Sequence, residues 1–490
     1  MNEKKIYLVY PKKIGTIAPE IYGHFAEHIG GVFYDGLWVG KDSKIPNIKG
    51  FRKEIIEKLK KINAPVIRWP GGCFAETYDW RDGIGENRPT RINWWTKWDG
   101  RYESNEVGTH EFMDLCELVG AKPYFAANIT SVTPLHIQQW MDYCMSPKGT
   151  TTLAKEREAN GHPEPFDIPF WGVGNENWGG GGNMTEEFYA NEFRRLDMIM
   201  KTAFPGKEYI ICGSDGRDYA WTDGVMRAVK TAHYKPELQG YAMHYYTGLG
   251  ADKMNDDPTN FGENGWYQLL KKAADIETVI KRNWNIIKGH GLVCEPKLIV
   301  DEWGCWHRDG SGPSKGYNLF EQQSTMRDAV VSALTLNIFN NHCDKVRMAN
   351  VAQLCNNLHC LFLAGGENCI TTPTYHVFDM FKSHQNGQCI ETIVENNDVF
   401  EKSVSVSASV KDGKTTVTLA NMSCEENVDI SFECLGFTLP DNAKGMLLYN
   451  ENMCAHNTFE KPDNVTPVEI ELDLTKPVVL PKTAVLMLEF

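Results

Sequence analysis

Two short stretches of this 490-residue chain carry groups that could do chemistry. In the first, the apolar run Ile168 to Val173 ends in Gly174-Asn175-Glu176-Asn177-Trp178 and then in four glycines, Gly179 to Gly182. In the second, Lys297-Leu298-Ile299-Val300 runs into Asp301-Glu302-Trp303-Gly304. Each reads as a buried strand that delivers a glutamate to its C-terminal end, followed by backbone open enough for close approach. One such carboxylate could equally cap a strand or pair with an arginine. Two of them, 126 positions apart, suit a reaction in which one carboxyl gives a proton while the other attacks from the opposite side of the scissile bond.

Carboxylates so placed need a frame, and the rest of the chain supplies one. Apolar runs near 20–25, 65–69, 121–128, 168–173, 209–213, 239–246, 297–302 and 346–351 read as eight strands. Helical periodicity over 51–62, 109–119, 133–144, 185–202, about 266–288 and 321–339 separates most of them, with a further helical turn near 375–381. Thr185, with Glu186 and Glu187 behind it, makes an N-cap with acids in the first turn. Such alternation means a parallel sheet with right-handed crossovers. Eight units with long loops, and no Gly-x-Gly-x-x-Gly turn after the first strand, favour an α/β fold of the (β/α)8 TIM barrel type. After about residue 385 short runs rich in Val, Thr, Ile and Leu, punctuated by Asp-Gly, Pro and Asn, predict a C-terminal antiparallel β-sandwich, jelly-roll-like. The expected division is a catalytic barrel over 16–385 and a sandwich over 386–490, joined by an N-terminal strand within 1–15.

Composition narrows the partners. The formal net charge is -14 and no basic arm is present, which argues against nucleic acid and anionic membrane. No apolar run approaches a membrane span, and the N-terminus lacks a signal-peptide core, so a cytoplasmic enzyme is expected. Fourteen cysteines with no Cys-x-x-Cys unit then read as reduced, mostly buried thiols. His24-Phe25-Ala26-Glu27-His28 spells an inverted zinc-peptidase motif. That chemistry needs a helix to bring both histidines to one face, and here the segment continues a strand into Gly30-Gly31. No metal and no cofactor are expected.

The C-terminal strand ends offer Glu27 and His28, Arg68, Trp69 and Cys73, Asn128, Asn175 and Glu176, His244, Tyr245 and Tyr246, Glu302 and Trp303, and Asn350 with Gln353. Amides and carboxylates grip hydroxyls, and an acid–nucleophile pair cleaves glycosidic bonds. Trp94, Trp95 and Trp98, in a loop after the second strand, suit the aglycone side of a pocket better than a core.

Phe25-Ala26-Glu27-His28-Ile29-Gly30, Arg68-Trp69-Pro70-Gly71-Gly72-Cys73-Phe74, Tyr78-Asp79-Trp80-Arg81-Asp82-Gly83-Ile84-Gly85, Gly174-Asn175-Glu176-Asn177, Asp301-Glu302-Trp303 and Ala349-Asn350-Val351-Ala352-Gln353 together resemble the α-L-arabinofuranosidases of glycoside hydrolase family 51. The resemblance runs over nearly the whole chain. It implies Glu176 as acid/base and Glu302 as nucleophile, with Glu27, Asn175 and Gln353 on the arabinose hydroxyls. Arg68 and Tyr246 would hold the nucleophile, and His244 would support the pair. Cys73 stands where some relatives carry Asn, and a thiol is the weaker hydrogen-bonder. The implied enzyme is exo-acting and retaining, takes arabino-oligosaccharides, and assembles as a homo-oligomer, a hexamer. Other retaining barrel glycosidases, such as endo-glucanases and xylanases, and a non-catalytic sugar-binding protein are the alternatives.

Overall fold

The computed structural model describes residues 3–96, 102–248 and 257–490. A first strand, β1 (Glu3–Thr16), precedes eight that close a barrel. These are β2 (Gly23–Phe25), β3 (Val66–Trp69), β4 (Lys122–Ala127), β5 (Phe170–Val173), β6 (Glu208–Cys212), β7 (Gly240–Thr247), β8 (Lys297–Cys305) and β9 (Val346–Ala352), in sequence order around the ring. Pairing is parallel, with Phe25 opposite Arg68, Trp69 opposite Phe125, Phe125 opposite Trp171 and Trp171 opposite Tyr209. The strands are apolar on both faces because each is covered on both sides.

The helices are α1 (Lys53–Lys61), α2 (Thr109–Val119), α3 (Pro134–Met145), α4 (Thr152–Ala159), α5 (Glu186–Ala203), α6 (Tyr219–Lys230), α7 (Glu263–Ala274), α8 (Ile276–Gly289), α9 (Met326–Asn341) and α10 (Pro373–Phe381). Thr185 caps α5 as expected, its hydroxyl accepting from the Phe188 N–H. The single helix expected over 266–288 is two, α7 and α8, parted at Asp275. The helix expected from 321 begins at Met326, because Thr325 and Asp328 form a reciprocal capping box that fixes the start there. Helices α4 and α6 have no counterpart in the sequence reading. α4 buries only Ala154 and Arg157, so its pattern carries almost no apolar stripe.

The chain divides into two compact units, 23–245 with 279–302, and 1–22 with 246–278 and 303–490. In the first, the core behind the strand ends is aromatic. Trp69 stacks on Phe112 with centroids 4.9 Å apart, and Trp140 meets Trp171 edge-on at 5.5 Å.

The second unit holds a nine-stranded sheet. Besides β1 it contains β10 (Gln388–Val394), β11 (Val404–Lys411), β12 (Lys414–Asn421), β13 (Val428–Leu435), β14 (Asn442–Leu448), β15 (Val468–Asp473), β16 (Val478–Leu480) and β17 (Val485–Glu489), in the order β15-β14-β17-β12-β11-β10-β1-β13-β16. The sheet is largely antiparallel; the exception is β1 beside β13, which run parallel. Residues from opposite ends of that order, Ala443 on β14 and Leu480 on β16, share one buried apolar cluster. The sheet therefore folds over on itself around a common core. α9 is buried along nearly its whole length and is fastened to the sheet by amide–hydroxyl pairs, Asn337 to Ser405 at 3.1 Å and Asn340 to Ser407 at 3.1 Å. The fourteen cysteines are free thiols, most of them buried. Among the described residues no helix is long and apolar enough to cross a membrane.

Candidate active site

Arg68, on β3, organises the site. Its Nη1 donates to Glu302 Oε1 at 2.8 Å and its Nη2 to Asn175 Oδ1 at 2.6 Å, while Nε lies 3.2 Å from Asp301 Oδ2. One planar guanidinium thus ties the ends of β3 and β8 to the segment that follows β5. Burial works against its charge, but Asp301 and Glu302 outweigh burial and push the Arg68 guanidinium further up. The Phe25 ring lies 4.6 Å beneath it, a favourable cation–π contact. Tyr124 completes the support from β4, donating to Asp301 Oδ2 at 2.9 Å.

The two glutamates meet at His244, on β7. Its Nδ1 is 2.9 Å from Glu176 Oε1 and 3.5 Å from Glu302 Oε2. An oxygen of Glu176 lies within 4.8 Å of an oxygen of Glu302. A Glu176 protonated in the empty site is the natural expectation for a general acid, with Glu302 opposing its ionisation. The balance in the structure runs the other way. Burial pushes the Glu176 carboxyl up, but the hydrogen bond from His244 and its charge, helped by Cys73 and Arg68, carry it below the usual range. His244 moves correspondingly upward; burial opposes its charge, and Glu302 and Glu176 outweigh burial. The short contact between His244 and Glu176 thus favours the charged form of each partner.

Glu176 has a left-handed backbone, φ 44°, as does Gly174 at φ 88°. Such a φ is unusual for a residue with a side chain and marks a functional constraint. Cys73 lies on the other side of the carboxyl, its thiol 3.4 Å from Glu176 Oε2, with the Asn175 amide nitrogen 3.8 Å from its sulfur. Glu27, just past β2, accepts from the Phe74 N–H at 3.0 Å. A Cβ on Gly72 would come within 2.5 Å of the Glu27 carboxylate, so the Gly71-Gly72 bend is what lets that carboxylate sit there.

Glu27, Arg68, Cys73, Asn175, Glu176, His244 and Glu302 therefore fall in one unit, and all but Glu27 join one network of short contacts. Tyr246 and Gln353 belong to the other unit. Tyr246 meets Trp306 edge-on at 5.0 Å, and the buried Gln353 follows β9 with its N–H directed to the Asn357 carbonyl. Trp98 lies outside the described residues. Trp94 is 65% exposed, which is not how a core tryptophan sits. Asn128 turns inward on its own loop, its amide donating to Tyr78 O and Ser131 Oγ and accepting from Thr130 and Ser131 N–H. Tyr245 receives a hydrogen bond from Arg217 at 2.6 Å.

The His-x-x-Glu-His segment is not a helix: His24 is in β2 and His28 in the turn beyond. Burial drives His24 down to about 3. Both nitrogens of His28 are engaged, Nδ1 with Glu103 at 3.0 Å and Nε2 accepting from Trp69 Nε1 at 3.0 Å. Among the described residues two other groups have ligand atoms close enough to hold a metal ion, Glu176 with His244 and Glu302, and Cys305 with Asp328 and His359. In the second, His359 Nδ1 already accepts the Cys305 N–H, its Nε2 lies 2.6 Å from Ser332 Oγ, and Asp328 is bonded to His307.

Two carboxyls set by one histidine and one arginine at the strand ends of a closed parallel barrel are the arrangement a barrel glycosidase needs. The comparisons carry the assignment further. Residues 58–263 match the α-L-arabinofuranosidase 1 domain and residues 301–483 the α-L-arabinofuranosidase C-terminal domain. A Bacteroides ovatus protein described as an intracellular exo-α-L-arabinofuranosidase is 37% identical over 96% of this chain and 93% of its own. The crystal structure of a family 51 arabinofuranosidase from Xanthomonas axonopodis pv. citri superposes with a TM-score of 0.92 at 36% identity, over 99% of both chains. That of the Thermotoga maritima α-L-arabinofuranosidase in its arabinose complex gives 0.83 at 27% identity over the full length of both. The chain belongs to glycoside hydrolase family 51, the α-L-arabinofuranosidases.

Proposed function

We propose that the chain is a retaining, exo-acting α-L-arabinofuranosidase that removes terminal arabinofuranose from arabinan- or arabinoxylan-derived oligosaccharides inside the cell. The observation that carries this reading is the carboxyl pair, with oxygens of Glu176 and Glu302 within 4.8 Å of each other. Carboxyls about 5–5.5 Å apart go with double displacement, whereas a direct attack by water needs about 6.5–9.5 Å. Glu302, held by Arg68 at 2.8 Å, attacks the anomeric carbon as the bond to the leaving oxygen breaks. Glu176 hands that oxygen a proton, drawn from His244 through their shared hydrogen bond. The Glu176 carboxylate then takes a proton from water, whose oxygen displaces Glu302 and restores the site.

Glu27, Cys73, Asn175, Tyr246 and Gln353 bind the sugar in this scheme, with Trp98 and the exposed Trp94 on the aglycone side. Acid, base and nucleophile are all side chains, so the scheme calls for no metal and no cofactor. A barrel over 16–385 and a sheet domain over 386–490, with residues 1–15 joined to the latter, are the proposed domains. Cytoplasmic residence agrees with the description of the B. ovatus relative, and a hexamer is the proposed assembly, which light scattering of a monomer would reject. The activity is tested by digesting linkage-defined arabino-oligosaccharides and resolving the products. Free arabinose released from the non-reducing end is expected. Internal fragments would favour an endo-acting barrel glycosidase, and binding without turnover a sugar-binding protein.

A further inference from the structure

Glu76 has no place in the scheme above, and the sequence gives it no prominence between the Arg68–Phe74 and Tyr78–Gly85 motifs. It lies in a 3-10 turn, Cys73–Thr77, and is 2% exposed. Four N–H groups donate to its carboxylate. Oε1 accepts from the Asn175 backbone at 2.7 Å and from Asn177 Nδ2 at 2.9 Å. Oε2 accepts from the backbone of Ile129 at 2.8 Å and of Thr130 at 3.0 Å. One buried carboxylate thus grips the residue before Glu176 and the residue after it, and ties both to the loop that follows β4. Glu176, between the two grips, has the left-handed φ of 44°. A residue with a side chain keeps such a backbone only where its surroundings impose it. Burial works against charge on Glu76 and pushes its carboxyl up, with hydrogen bonds from Asn175, Ile129, Asn177 and Thr130 opposing. A fully apolar plug would avoid that cost, so an ion kept here is better explained by what it holds.

We propose that Glu76 is a positioning residue for the general acid/base. By fixing both flanks of Glu176 it aims that carboxyl at the leaving oxygen. The inference rests on Glu176 being the acid/base, and the test separates the two. Glu76→Gln keeps the shape but turns an NH2 toward two N–H donors. Its kcat/KM would be measured on an aryl arabinofuranoside whose leaving group needs no proton, and on an alkyl arabinofuranoside whose leaving group does. Glu176→Gln serves as reference, with melting curves for all variants.

The expected Glu76→Gln pattern is a loss of at least about thirtyfold on the alkyl substrate, with the aryl value within about threefold of the unmodified enzyme and azide raising kcat. A folded variant that loses both substrates equally, or neither, overturns the inference. Should Glu76→Gln fail to fold, Asn177→Ser removes one donor of the grip and should show the same selective loss at smaller amplitude; equal losses on the two substrates would overturn the inference there too. If Glu176→Gln itself shows no dependence on the leaving group, the acid/base assignment falls instead.

Discussion

Removing the Arg68 cation should cost both stability and rate, by amounts the site geometry bounds. Arg68→Met keeps bulk but leaves Asp301 and Glu302, adjacent and buried, without their shared counter-ion. At the 2.8 Å contact with Glu302 the gross attraction is about 6 kcal/mol for an effective dielectric near 20, much of it offset by desolvation. Breaking one side of a buried pair nets about 3–5 kcal/mol. With an unfolding entropy of about 2.1 cal/mol/K per residue, a chain of 490 residues loses about 1 °C per kcal/mol, so Tm should fall by ~3–5 °C. Glu302 would also lose the donor that orients it, and Asn175 would lose its own. Together these should lower kcat/KM on an aryl arabinofuranoside by about 10²–10³. Arg68→Lys should fall between, because an ammonium cannot span Glu302, Asp301 and Asn175 at once. Paired melting curves and initial rates make the assay. A Tm within about 1 °C together with kcat/KM within tenfold of the unmodified enzyme would refute the account of how the nucleophile is held.

Three further expectations follow from the site. Glu27→Ala should lower kcat/KM at least about tenfold, roughly 1.4 kcal/mol, with the fold intact, because a polar site built for a hydroxyl discriminates strongly; a smaller loss would remove Glu27 from the sugar contacts. The upward shift of His244 stabilises the protein below its ordinary value of 6.5 and is lost as pH rises through the shifted value. The downward shift of Glu176 stabilises above 4.5 and is lost as pH falls through its own. The Tm gap between the unmodified enzyme and His244→Asn should therefore be widest between those two values and narrow on either side of that window; a gap that keeps widening as pH rises above it would contradict the ion pair. Activity should survive exhaustive chelation, and a loss with EDTA that zinc restores would redirect attention to the histidines and the Cys305 group.

The parts of the fold legible in the sequence were those where local pattern and tertiary role coincide. Apolar runs stopped by polar residues marked the barrel strands because each strand is buried on both faces and ends at a solvent-facing loop. Thr185 announced α5 because a cap acts within three residues. α6 was opaque: Gly224 interrupts its apolar positions, and it is tolerated because Gly224 packs on Glu186, a neighbour the periodicity cannot see. β16 has three residues and β10 is buried at only two of its seven positions, so neither alternates long enough to register. At the site, Glu176, Glu302, Arg68 and Asn175 could be read from strand ends. Glu76 could not, because its four partners lie 53 to 101 positions away and its own surroundings look like an ordinary turn. The charge balance at the site was likewise invisible, since it depends on the placement of His244 between two carboxylates rather than on any one residue.

The central claim is a double displacement with Glu302 as nucleophile and Glu176 as acid/base. Following the anomeric configuration of the first-formed product by proton NMR, for the unmodified enzyme and for Glu176→Ala with azide, tests it most directly. The account predicts α-configured arabinofuranose from the unmodified enzyme, and from the variant an α-arabinofuranosyl azide of retained configuration, because azide displaces Glu302 from the face opposite the β-linked intermediate. A β-configured first product from the unmodified enzyme, or rescue by azide of Glu302→Ala rather than Glu176→Ala to a retained product, would contradict it.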